Sequence, residues 1–381
     1  MQEHCSIIGK LLSGINRKQF KRLTDKYNGD RYVKYFNCWS QFVCIFIGQI
    51  GNFTSIREIV DAVNFQPKNQ YHLGIKKNIS KSTFAEANEK RDWRIYRDVF
   101  LKLIKKLPNW KQTKVTNIVK ILDSSPIRLD LVNHPWAEKT QRIEGIKLHL
   151  IYDLTNTIPT YFEFTGARTN DIEIGKKINI DKGCTYVFDK GYMNFNWWNQ
   201  IDEQGAYFVT RLKKNNTIIE ESKMQIHNEQ ISSQLIRFKP SHHWKTGSCT
   251  KLFKRVIVQR EGKTPLILVT NDLNRSSEEI AELYKQRWQI ELFFKWIKQN
   301  LKIKKFLGKS ENAVKTQICI ALICFVLLHL MHELKEICSE ISTKNLLKII
   351  GNNMFFTLKP INYGRKRYKN PNQLQFEWVF D

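Results

Sequence analysis

Apolar positions recur with helical spacing along the first hundred residues and with strand spacing after them. Residues 6–27 (SIIGKLLSGINRKQFKRLTDKY) read as two short amphipathic helices broken at Ser13-Gly14. Residues 36–50 (FNCWSQFVCIFIGQI) are apolar enough for a core helix, which Gly51-Asn52 stops. Ser55 followed by Glu58 has the capping-box pattern and opens a helix to Asn64. A second such unit begins at Ser80 and keeps a helical pattern through Leu107. Pro108-Asn109-Trp110 and the polar KQTKVTN stretch mark a boundary. From Ile118 the period changes. IVKILD (118–123) reads as a buried strand ending at Asp123. GIKLHLIYDL (145–154) alternates, and PTYFEF (159–164) follows a tight turn at Thr155-Asn156-Thr157. A short helix over 170–177, a buried strand CTYVFD (184–189), a helix over 197–204 and a strand AYFVTRL (206–212) complete the series. Residues 213–264 carry short alternating runs such as LFKRVIVQR and read as a mainly β insertion before the strand LILVTND (266–272). The most apolar run, Ile318 to Leu330, is too short to span a bilayer and reads as a buried helix.

The segment Ser276 to Leu301 (SSEEIAELYKQRWQIELFFKWIKQNL) predicts one long helix without Pro or Gly. Ser276 or Ser277 caps it, and Glu278, Glu279 and Glu282 suit the positive end of its dipole. Tyr284, Arg287, Glu291 and Lys298 stand at offsets 0, 3, 7 and 14. At 100° per residue these fall within a sector of roughly 60°. One face therefore presents a phenol, a guanidinium, a carboxylate and an ammonium, while Leu283, Ile290, Phe294 and Ile297 pack elsewhere.

Composition narrows the partner. A chain of 381 residues buries a full core and suggests two domains. A net charge of +26 calls for a polyanion, and 10 Trp, 13 Tyr and 23 Phe interleaved with the cations suit bases as well as phosphates. The eight Cys form no CxxC pair, so they read as buried thiols of a reducing cytoplasm rather than zinc ligands. The N-terminus lacks the continuous apolar core of a secretion signal. No Gly-rich phosphate loop or HExxH spacing occurs, and His242, His243 and Trp244 form no nucleophilic triad.

The spacing Tyr-x2-Arg-x3-Glu-x6-Lys (YKQRWQIELFFKWIK) resembles the signature of a large family of bacterial insertion-sequence transposases. That family carries a DDE triad on an RNase H-like core. The resemblance implies that Glu291 is the third metal-binding acid, and that Tyr284, Arg287 and Lys298 hold DNA phosphates. Two Asp must then lie upstream. LDS at Asp123 and FDKGY at Asp189 resemble the family's first and second acid motifs, and three strands, a helix, a strand, a helix and a strand match the RNase H-like order. Lys190 and Tyr192 of the second motif join the DNA-facing set; Gly191 permits close backbone approach. Trp244 in the insertion is the candidate for stacking on a flipped base. Asp153 and Asp171 read as turn formers.

Three carboxylates at an open site suit Mg²⁺, or Mn²⁺ in its place, as two ions roughly 3.5–4 Å apart. The fold expectation is an α/β (α+β) chain. A helical DNA-binding domain spans 1–110. An RNase H-like catalytic domain follows at 111–340, with a β-rich insertion at about 213–264. Residues 341–381 form a basic C-terminal segment containing RKRYK at 365–369. The functional expectation is a cytoplasmic cut-and-paste transposase acting on the inverted-repeat ends of its element and on target DNA. By resemblance it works through a hairpin intermediate and as a dimer. The alternatives are a related RNase H-like nuclease and a non-catalytic DNA-binding derivative.

Overall fold

The computed structural model describes residues 6–106, 118–212, 217–239, 249–301, 303, 305–333 and 342–356. The chain divides into two compact units. Residues 1–112, 130–136 and 295–381 form the first, and residues 113–129 and 137–294 the second.

The first unit opens with α1 (Ile7–Ser13), α2 (Arg17–Lys26), α3 (Cys38–Ile50), α4 (Ile56–Asn64), α5 (Pro67–Leu73), α6 (Lys81–Lys90) and α7 (Arg94–Lys105). Local chemistry sets several of these starts. The side chains of Ser6, Asn16, Asn37, Ser55 and Ser80 each accept the backbone N–H three residues on. The pattern expected to run unbroken from Ser80 is interrupted at 91–93, where Asp92 accepts the Arg94 N–H at 2.8 Å and a new helix begins. Every residue of α3 is buried. Such a helix is stable only when other elements cover it on all sides. Its buried amide is satisfied: Gln41 accepts from the Tyr96 hydroxyl at 2.9 Å and from Arg91 at 3.2 Å.

The second unit is built on a mixed sheet. Its strands β1 (Val119–Arg128), β2 (Glu138–Lys139), β3 (Glu144–Asp153), β4 (Ile158–Gly166), β5 (Thr185–Phe188) and β6 (Tyr207–Arg211) are accompanied by α8 (Ile172–Gly175) and α9 (Phe195–Glu203). β3 runs antiparallel to β1 and β4, whereas β1, β5 and β6 are mutually parallel neighbours. The order β4-β3-β1-β5-β6 is the RNase H-like arrangement expected from the sequence. The aromatic side chains of α9 secure one face. Trp197 lies 4.9 Å from Phe188 and Trp198 lies 4.8 Å from Phe208, centroid to centroid.

The insertion continues the same sheet. β7 (Ile218–Glu220), β8 (Gln225–Ile226), β9 (Ile231–Phe238), β10 (Phe253–Arg260) and β11 (Lys263–Thr270) add antiparallel strands, with β11 pairing β6. α10 (Ser277–Gln286) then packs on β5, β6, β9 and β10, and α11 (Trp288–Asn300) follows.

The chain returns to the first unit with α12 (Glu311–Glu333) and α13 (Thr343–Asn353). The residues from Lys295 onward cluster with the N-terminal helices, so the sheet unit stops at Phe294 rather than near 340. The reason is α12, which packs against α1, α3, α6, α7 and α13. It is longer than its apolar run suggested, because Glu311 to Gln317 join it. By length and composition it could cross a membrane, yet 83% of its apolar window is buried within the protein, as in a core helix. The six described cysteines are all free and buried.

Candidate active site

Asp123 does not end its strand, as the apolar run had suggested. β1 continues to Arg128, pairing with β3 throughout, and Asp123 stands opposite Leu150. What ends at this point is the parallel neighbour: the β1–β5 pairing stops at Leu122–Phe188. Asp123 and Asp189 are each the next residue, so both stand where the parallel strands part, Asp123 still within β1 and Asp189 just beyond the end of β5. Asp189 caps the 3₁₀ turn Lys190–Tyr192 and accepts the Gly191 N–H. A Cβ at Gly191 would lie 3.1 Å from the Asp189 Oδ1 and 3.7 Å from the Asp171 Oδ2, so glycine leaves both carboxylates room.

Glu291 arrives from a helix that is not continuous. The predicted single helix divides at Arg287, where Arg287 N–H donates to Tyr284 O (3.2 Å) and Ile290 N–H to Arg287 O (3.3 Å). These i→i+3 bonds tighten one turn between α10 and α11. The Ser276 capping box with Glu279 fixes the start of α10 as the sequence suggested. Two residues that sequence patterning did not single out anchor the approach to it. Asn271 donates to Asp202 (2.8 Å) and to Ala206 O (3.0 Å). Arg275 bonds Asp272 at 3.0 Å and Thr185 at 3.3 Å. On α11, Phe293 packs against Tyr152 of β3 at 5.2 Å, which seats Glu291 over the sheet.

Arg287 joins the acids. One guanidinium nitrogen donates to Asp123 Oδ2 at 3.2 Å and another to Glu291 Oε1. Burial by itself would lower the Arg287 pKa; Asp123, Tyr284 and Glu291 more than offset it and hold the group charged. Burial pushes Asp123 up to about 6. Arg287 and the Ser124 N–H oppose that rise, while the negative charges of Glu291 and Asp189 add to it. Asp123 therefore feels the charge of both other acids. Among the described residues no three His, Cys, Asp or Glu side chains form a ready cage for an ion. The donor set of three carboxylates fits a hard divalent cation, and the place between two of them already holds a positive guanidinium. Arg287 must give up at least one of those contacts for an ion to take all three acids.

The remaining candidates divide. Tyr284 is buried, with Arg287 lying 5.8 Å from its ring centroid. Lys190 is exposed beside Asp189. Lys298 is half-buried, seven residues beyond Glu291 on α11, and belongs to the first unit. Tyr192 is not a surface group: it is 2% exposed and packs in the aromatic core, 5.9 Å from Phe188. Its DNA-facing assignment is corrected accordingly, since the last residue of the 3₁₀ turn packs its ring on Phe188 and Trp197. Trp244 and the RKRYK run lie outside the described residues. Asp153 is a turn former, accepting from Thr155 and Asn156 N–H groups at 2.8 and 3.0 Å. Asp171 does more than turn the chain. It pairs with Lys147 at 3.1 Å and faces buried His149, whose pKa burial lowers to about 4.

A family model described as "Transposase DDE domain" matches residues 116–327, more than half of the chain. The chain belongs to the DDE transposase family. A second model, described as a domain of unknown function (DUF4372), matches residues 3–76. The transposase is similar to the Sinorhizobium fredii protein y4zB, named as a transposase, at 33% identity over 77% of this chain and 85% of that one. It is also similar to a Geobacillus stearothermophilus protein named for insertion sequence element IS5377, at 30% identity over 56% of this chain and 57% of the relative. The IS231D transposase of Bacillus thuringiensis is 23% identical over 60% of each chain. Among solved structures, a piggyBac transposase synaptic complex with hairpin DNA matches with a TM-score of 0.44 and 11% identity, covering 91% of this chain and 77% of that one. At that score the family assignment rests on the sequence relatives. As a family member this transposase is a DNA-cutting and strand-transferring enzyme of an insertion sequence, and its chemistry uses divalent metal.

Proposed function

We propose that Asp123, Asp189 and Glu291 are the catalytic carboxylates of this transposase and would hold two Mg²⁺ ions, with Mn²⁺ as a substitute. The observation that supports this most is their convergence. Two acids stand directly after the last parallel pair of β1 and β5, and Arg287 bonds both Asp123 and Glu291. Placing Asp123 where burial, helped by the charges of Glu291 and Asp189, raises its pKa disfavours its charged form, so function accounts for the arrangement better than folding does. The ions, when bound, supply Lewis-acid stabilisation of the attacking and leaving oxygens of an in-line displacement.

The chain's own groups position the DNA. Exposed Lys190 meets a backbone phosphate beside Asp189, and Lys298 a second one. Tyr284 orients Arg287, which exchanges its acids for phosphate as DNA arrives. Hydrolysis at the element's end would release a 3′-hydroxyl. Its attack on the opposite strand gives a hairpin, a second water opens the hairpin, and the freed 3′-hydroxyl attacks target DNA. Pairing two inverted-repeat ends makes the working form a dimer on cytoplasmic DNA. The helical N-terminal region, 1–110, contributes binding to the end sequence.

Cleavage of a labelled duplex carrying the element's end, with Mg²⁺, Mn²⁺ or chelator, tests the reading. A metal-dependent nick that matures to a hairpin is expected. Alanine at Asp123, Asp189 or Glu291 should abolish it and leave DNA binding intact. Continued cutting by Glu291→Ala would falsify the triad.

A further inference from the structure

The segment between α2 and α3 builds a surface that the reaction does not use. Residues 31–35 read Arg-Tyr-Val-Lys-Tyr, and all but Val33 are exposed. Tyr32 is 88% exposed and holds a left-handed backbone at φ 60°. A bulky side chain adopts that region only where the surroundings impose it, and such outliers gather at functional sites. The chain around Tyr32 is held in place: the Arg31 N–H donates to Asn28 O and the Val33 N–H to Asp30 O, each at 3.1 Å. Asp30 accepts the Cys38 N–H at 2.6 Å, and Gly29 is wedged so closely that a Cβ would meet Ile95 at 2.6 Å and Cys38 at 2.7 Å. The loop is fixed at its base and presents its rings outward.

Those rings border a cleft of about 720 Å³, lined by Arg31, Tyr32, Lys34, Tyr35 and, across from them, Glu86 and Asp92. The volume is that of a site for a small organic group. Its two carboxylates are already neutralised, Glu86 by Lys90 and Asp92 by Arg94, each at 2.6 Å. Arg31 and Lys34 have no ion-pair partner among the described residues, which leaves the cleft positive. Arg31 lies 4.9 Å from the ring centre of Tyr32, and Lys77 lies 4.6 Å from that of Tyr35. Of the six exposed aromatic side chains among the described residues, four (Tyr32, Tyr35, Phe65 and Tyr71) fall between residues 32 and 71.

We propose that this cleft binds DNA with unstacked bases: Tyr32 and Tyr35 stack on the bases, and Arg31 and Lys34 bind the flanking phosphates. Exposed aromatic rings alternating with cations that carry no carboxylate partner are the elements of single-strand recognition, and each stacked base adds affinity without demanding a sequence. The inference rests on the reading of residues 1–110 as DNA-binding and assigns a role to the segment that matches the domain of unknown function. It also gives the transposase a second class of nucleic-acid contact, separate from the acids.

Fluorescence anisotropy on the full chain, in chelator to prevent cutting, tests it with a labelled single strand and a labelled duplex of the element's end. Tyr32→Gly removes the ring while suiting the left-handed backbone; Tyr32→Phe keeps the ring. Tyr32→Gly and Tyr35→Ala should each weaken single-strand binding about 10-fold and leave duplex affinity within about 2-fold, with Tyr32→Phe close to the parent. Arg31→Ala with Lys34→Ala should flatten the single-strand salt slope by about 1.4. Unchanged single-strand affinity in Tyr32→Gly overturns the proposal, as does an equal loss on both probes. A change only in the oligomeric state of Tyr32→Gly also overturns it and assigns the rings to contact between copies. If the parent binds the duplex but no single strand, this inference alone fails; if it binds neither, the DNA-binding reading of the helical region fails with it.

Discussion

Arg287 and Asp123 hold opposite charges in a partly enclosed place, and each makes a measurable demand on the metal-free protein. The guanidinium compensates two carboxylates that would otherwise repel, and its side chain is only 17% exposed. Arg287→Met should lower metal-free stability by about 2 kcal/mol, somewhat less than a fully buried pair would lose. Added Mg²⁺ should recover much of that loss. Thermal denaturation with chelator and with metal checks both halves; an Mg²⁺ effect equal in parent and variant would contradict the arrangement. Asp123 titrates near 6 when folded, against 3.8 as its ordinary value. The folded state therefore binds the proton more tightly. Its contribution is full below about pH 4 and disappears as pH rises through 6, on the order of 3 kcal/mol. Asp123→Asn should remove that decline. His149, lowered to about 4 from 6.5, acts with the opposite sign, losing stability as pH falls through the same window. The difference between the variant and parent curves separates the two, and parallel curves from pH 4 to 6 would refute the assignment.

At the level of elements, the spacing of apolar residues identified most helices and strands but placed several ends wrongly. β1 outran its apolar stretch because Ser124 to Arg128 are held by pairing with β3, a partner that lies about twenty residues away in sequence. That pairing begins at Gly145, whose φ of 135° and close approach to β1 admit no side chain; a Cβ there would stand 2.1 Å from the Ile127 carbonyl oxygen. Gly145→Ala should therefore destabilise the protein by about 2 kcal/mol or more, read from urea denaturation. A loss below about 0.5 kcal/mol would mean that the strand end adjusts freely. The break at Arg287 was not legible either. Nothing in YKQRWQIEL disfavours a helix, and only the carboxylates on other elements show what the tightened turn achieves.

For the whole molecule, the charge of +26 has its counterpart in a DNA-handling family. Lys298→Ala should weaken binding to the element's end across sequences and reduce the salt slope by roughly 0.9, as one lost duplex phosphate contact does. Titration of affinity against salt measures it, and an unchanged slope would remove Lys298 from the DNA surface. The amino-acid sequence alone determined the alternation of helix and strand, the polyanionic partner and the candidate acids, because these depend on residue type and local spacing. Through resemblance it also pointed to the family. Only the tertiary structure decided that the insertion extends the core sheet, that α12 belongs with the N-terminal helices, that Tyr192 is core, and that Arg287 stands between Asp123 and Glu291. Those outcomes depend on contacts between residues far apart in the chain, where burial and charge are set by neighbours that local spacing does not name.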